Sequence, residues 1–90
     1  MAEGAGRSVS LAATGAIDSG DGWLLSCSIT SAADAATAVI RTGGASGTII
    51  CKLAAPIGTT AERQFMSGIP YSNLHVTITG TSPVFDAELG

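Results

Sequence analysis

The sequence predicts an all-β fold: a small antiparallel β-sandwich or barrel, of jelly-roll or immunoglobulin-like Greek-key type, with about seven strands. Three observations carry this expectation. In the stretch 65–81, Leu74, Val76 and Ile78 alternate with His75, Thr77 and Thr79, which puts aliphatic and polar side chains on opposite faces of a strand. Short runs of this kind recur about every 8–12 residues between Gly- and Pro-rich turns. Nowhere does an apolar i, i+3, i+4, i+7 pattern persist beyond two helical turns.

Each element follows from local composition. Residues 1–6 hold two glycines and two alanines and read as a flexible N-terminal arm, leaving 7–90 as one β domain. Arg7 to Ala13 alternates through Val9 and Leu11, and the strand can resume at Ala16 and Ile17. Asp18-Ser-Gly-Asp-Gly22 is the strongest turn signal, because Asp makes side-chain-closed turns and Gly supplies positive φ. Trp23, Leu25, Cys27 and Ile29 then form one face of a second strand, with Trp23 in the core. Ser31 to Ala36 reads as a loop, although Ser31 is also a helix-capping residue. Thr37 to Arg41 is a third strand, Thr42 to Gly47 a glycine-rich turn, and Thr48 to Ala54 a fourth strand that Pro56 and Gly58 end. Thr59 to Met66 makes a fifth strand or an extended arm, with Phe65 toward the core. A Gly68–Pro70 turn leads into Leu74 to Thr79, and Val84 to Leu89 closes the chain.

Ninety residues can bury only about 60–65% of the surface of the unfolded chain. Ala, Gly, Ser and Thr supply 47 of those residues, whereas Leu, Ile, Val, Phe, Trp, Tyr and Met66 supply 23. Burial energy scales with apolar area at about 25 cal/mol per Å², so fifteen alanines add little core. Low charge combined with many small residues describes a surface that something else covers, which implies an oligomer or an assembly. The net charge is −3, and Arg7, Arg41, Lys52 and Arg63 are scattered along the chain, which argues against nucleic acid as a partner. No apolar run reaches the roughly 18–20 residues that span a bilayer. The N-terminus lacks the basic start and apolar centre of a secretory signal, so synthesis and assembly in a cytoplasm are expected.

The candidate reactive groups are few. Cys27 and Cys51 sit mid-strand on inward positions and read as two small buried hydrophobes; a disulfide between facing strands is the alternative, opposed by a cytoplasmic origin. Two cysteines and one histidine without close spacing do not make a zinc site. Asp18 and Asp21 resemble a calcium loop only in composition, because the spacing and terminal Glu of such loops are missing. His75 lies on a polar strand face with no acidic or thiol partner at a diagnostic spacing. Asp86 and Glu88 alternate on the last strand and read as a solvated or interface edge rather than an acid–base pair. Thr42 to Thr48 lacks the Gly-Lys-Ser/Thr ending and the helix of a phosphate-binding loop. Gly-x-Ser-x-Gly is absent. No enzyme activity, cofactor or metal is expected.

The run Gly22-Trp-Leu-Leu, the run Ala35 to Arg41 with its glycine-rich turn, and Gly68-Ile-Pro-Tyr through Thr79-Gly-Thr81 together resemble a class of small tailed-phage virion proteins. The likeness covers residues 22 to 81, and the class includes capsid decoration (cement) proteins and neck, tail and fibre-associated modules. The chain has no coiled coil or repeat, which sets it apart from the longer fibre proteins. The resemblance implies a virion protein on the capsid surface: a homotrimer that stabilises the head by bridging major capsid protein subunits. Arg7, Arg41, Lys52 and Arg63 would pair with an acidic coat surface, and Tyr71, on a rim after Pro70, would anchor the interface. The rival is a tail- or neck-associated receptor- or glycan-binding module, which needs an exposed aromatic pair in a polar groove. A small hydrolase is the third reading, disfavoured because the single His75 has no nucleophile to serve.

Overall fold

The computed structural model describes residues 7–90; the expected arm, residues 1–6, lies outside them. Six strands, β1 (Arg7–Leu11), β2 (Gly15–Thr30), β3 (Ala36–Thr42), β4 (Thr48–Ala55), β5 (Thr60–Thr79) and β6 (Val84–Leu89), form one antiparallel sheet. Their order is β1-β6-β2-β5-β3-β4. Among the described residues there is no helix. β2 and β4 are separated in that order by β5 and β3, yet the sulfurs of Cys27 on β2 and Cys51 on β4 are 4.0 Å apart. The sheet therefore curls until β4 lies over β2, giving the two-layered core of a small β-sandwich from one continuous sheet.

The core is lined by the inward set of each strand. Ala36, Ala38 and Ile40 on β3, Cys51, Leu53 and Ala55 on β4, and Phe85, Ala87 and Leu89 on β6 are all buried. Each set is spaced by two, as alternating strand geometry requires. Leu74 and Val76 on β5 and Ile17, Leu24, Cys27 and Ile29 on β2 belong to the same core, with Ile78 packed alongside.

Six strands replace seven because the expected fifth and sixth are one. β5 does not turn at Gly68–Pro70: it pairs with β2 through Gln64, and again from Ile69 through Ser72. Between them Phe65, Met66, Ser67 and Gly68 stand opposite the single residue Leu25, so the glycine-rich stretch is a wide bulge. Asp18 to Gly22 is likewise no hairpin turn. Asp18 Oδ1 accepts a hydrogen bond from the Gly20 N–H at 3.0 Å, the expected Asp-closed geometry. The ladder nevertheless resumes at Asp21 and Gly22 opposite Ser72 and Tyr71. The local signal was real, and strand pairing on both sides absorbed it.

The bulge at Leu25 also reverses one expected facing. Toward β6, Leu24 is opposite Leu89 and Ser26 is opposite Glu88, so Leu25 is an extra residue. A slip of one exchanges the faces of a strand. Downstream Cys27 and Ile29 point inward as expected, but upstream Leu24 takes the core position and Trp23 turns outward. Phe65 is partly buried against the core. Ser31 to Ala35 is a loop. The Ser31 hydroxyl donates to the Pro56 carbonyl rather than capping a helix, and Asp34 accepts from the Thr81 N–H at 2.6 Å, tying the two loops at that end together.

Candidate functional site

The bulge builds an apolar ridge. Trp23 is 49% exposed, Leu25 37% and Met66 fully so at 105%. Gly68 adopts φ 75°, a backbone that L residues rarely take, and this lets the chain leave and rejoin the ladder. A β-carbon on Gly68 would come 3.1 Å from Leu25 Cδ2 and 3.4 Å from Trp23 Cβ, so the bulge lies directly against both side chains. Gly90 packs equally close to Leu25, and its N–H donates to the Trp23 carbonyl at 2.8 Å. Pro70, opposite Trp23, extends the exposed surface and offers no N–H at that position.

A second feature lies on the outer face of the sheet. Ser8, Glu88, Ser26 and Gln64 form one row across β1, β6, β2 and β5, and Ser10, Asp86, Ser28 and Glu62 form the next. Ser8 Oγ donates to Glu88 Oε1 at 2.7 Å, and Ser10 Oγ donates to Asp86 Oδ1. A shallow depression of about 170 Å³ sits over these rows, lined by Ser26, Ser28, Glu62, Arg63, Asp86 and Glu88 among others. Serine hydroxyls need a base such as imidazole to become nucleophiles, and the lining holds none. Among the described residues no group of His, Cys, Asp and Glu side chains is arranged to hold a metal ion. Asp86 and Glu88 do not form a sheet edge, because β6 lies between β1 and β2. The rows went unread in the sequence, although each strand carries its signal as a polar pair spaced by two: Ser8 with Ser10, Ser26 with Ser28, Glu62 with Gln64, Asp86 with Glu88.

The basic residues are carried by four different strands. Arg7 opens β1 opposite Leu89, and Arg63 is exposed on β5 opposite Cys27. Lys52 is exposed on β4, a sheet edge. Arg41 is half-buried and donates to Thr77 Oγ1 at 3.2 Å. Val39, next to Arg41 on the same face of β3, pairs with Lys52, so these two cations are diagonal neighbours. Tyr71 departs from the expected rim position. Its side chain is 5% exposed and its hydroxyl donates to Asp18 Oδ2 at 2.6 Å, so it belongs to the core and not to a rim. The slips in the β2–β5 register around Asp18 turn it inward. His75 is half-buried between Arg41 and Ala16 on the neighbouring strands, and its Nδ1 is buried without a hydrogen-bond partner among the described residues.

Cys27 and Cys51 are buried and free, as the sequence suggested. Burial pushes the Cys27 thiol up to about 12; the nearby Cys51 adds to the rise and Arg63 opposes it. Compared with known proteins, the chain matches no family model, no curated protein and no solved structure.

Proposed function

We propose that the chain is a non-enzymatic structural subunit that works by burying surface: it joins copies of itself through the ridge of Trp23, Leu25 and Met66, and bridges subunits of a larger shell. The observation that carries the reading is that ridge. A tryptophan, a leucine and a methionine stand exposed around one bulge in a chain short of large apolar side chains. Aromatic and methionine side chains are enriched at the centres of interfaces, where a few such anchors supply most of the binding energy. Among the described residues no strand pairs with the outer edges of β1 and β4, whose main-chain groups a neighbour can cover.

The likeness to phage capsid decoration proteins gives the reading its specific form: a homotrimer on the virion surface, seated on the major capsid protein. Cyclic closure brings the same ridge of each copy to one axis. Exposed Lys52 and Arg63 suit an acidic coat surface, whereas Arg41 already spends one donor on Thr77. The glycan-binding alternative loses its aromatic pair, because Tyr71 is buried and the polar depression is lined by no aromatic residue. The test is co-sedimentation with empty phage heads of the candidate host virus. Saturable recruitment that W23S weakens at least about tenfold supports the reading. Absence of recruitment, together with selective binding on a glycan array, would replace it with the tail-module reading.

A further inference from the structure

We propose that Cys27 and Cys51 form an oxidative latch, an intramolecular disulfide that ties β2 to β4 across the core and holds the curled sheet closed. The sulfurs already touch at 4.0 Å, and both side chains are almost wholly buried, at 3% and 6% exposure. The strands that carry them are not neighbours in the sheet, so the bond would fix the curl itself and not merely reinforce a hydrogen-bonded pair. It would also join residues 24 positions apart, closing a loop that includes all of β3. This inference stands apart from the assembly reading and does not depend on it.

The sheet order supplies the route to reaction. Among the described residues β4 is an edge strand that pairs only with β3, so local opening of β4 exposes Cys51 before the centrally placed Cys27. The oxidant is a small-molecule disulfide of the glutathione class. Cys51 thiolate attacks one of its sulfurs, forming a mixed disulfide and releasing one glutathione thiolate. Cys27, deprotonated as the strand recloses, then attacks the Cys51 sulfur and releases the second glutathione. Two protein thiols are oxidised, one glutathione disulfide is reduced, and both protons leave with the glutathione products. In the closed fold the raised pKa of Cys27 keeps its thiol protonated, so the reaction waits on opening and is slow. A chain moved from a reducing to an oxidising medium becomes locked in the fold it already has.

The experiment incubates the full chain with oxidised or reduced glutathione and reads intact mass, a non-reducing peptide map and thermal unfolding. The expected product has lost two hydrogens and carries a Cys27–Cys51 peptide link. It melts roughly 10 °C or more above the reduced chain, a difference that a phosphine reductant abolishes. The variant C51A forms no link and gains no stability in the oxidised buffer. Stable glutathione adducts, links between chains, an unreactive pair after prolonged exposure, or a linked chain that melts no higher would each overturn the latch. The wild-type chain alone decides the matter even where C51A fails to fold.

Discussion

Tyr71 donates its phenolic hydrogen bond to Asp18 Oδ2 at 2.6 Å, across two strands whose register slips on both sides of Asp18. A hydrogen bond from a buried phenol to a carboxylate is worth roughly 1.5–3 kcal/mol, because removing the hydroxyl leaves a charged acceptor short of a partner. Y71F keeps the ring in the core and should therefore lower stability by about 2 kcal/mol, read by urea unfolding. An unchanged midpoint would mean that the contact is incidental to the bulge.

Gly22 is held to glycine by the same phenol. A β-carbon there would lie 2.7 Å from the Tyr71 oxygen, whereas at Gly20 the nearest atom, Asp18 Oδ1, is 3.6 Å away. G22A must push the ring out of its site and should cost about 1–3 kcal/mol. G20A, with room for its methyl group, should stay within about 0.5 kcal/mol. The two melting curves compared side by side test the register of β2 against β5.

Alkaline pH should weaken the fold through Cys27. The thiol titrates near 12 in the fold against an ordinary value of 9.0, so between those values the native state holds a proton that the unfolded chain has lost. The contribution of this group is complete below pH 9.0 and declines as pH rises toward about 12. The steepest slope for one such proton is about 1.4 kcal/mol per pH unit. Denaturant unfolding of wild type and C27A across that range isolates the thiol. The gap between the two should close as pH rises, and a constant gap would contradict the raised pKa.

β6 offers a contrast between neighbours. Phe85 is fully buried and is the largest such side chain, while Val84 beside it is half exposed. F85A should cost roughly 3–5 kcal/mol, enough to unfold much of a domain this small, whereas V84T should change little. Circular dichroism melts of the pair check which face of β6 is inward.

Much of the fold was legible in the sequence because alternation is a local property. The inward sets of β3, β4 and β6 follow from counting by two, as does the reading of Cys27 and Cys51 as two small buried residues. What could not be read by counting was register. Leu25 is one residue too many opposite β6, and that single slip sends Trp23 to the surface, where the chain has its most prominent apolar feature. The fusion of two expected strands into β5 has the same origin: Gly68 and Pro70 look like a turn until β2 is available to pair on both sides. The candidate interface was therefore hidden at the positions where tertiary pairing overrides local propensity. Tyr71 was misplaced for the same reason, since its inward facing depends on the slips around Asp18.

The measurement that most directly tests the assembly reading is the solution mass of the chain by light scattering, for wild type and for the double variant W23S/M66S. Both substituted side chains are on the surface, so the variant should keep its fold and its melting temperature to within a few degrees. Wild type is expected at three times the mass of one chain and the variant at the mass of one. A wild-type chain that remains a monomer at high concentration, or a double variant that stays trimeric, would contradict the assignment of the ridge as the interface.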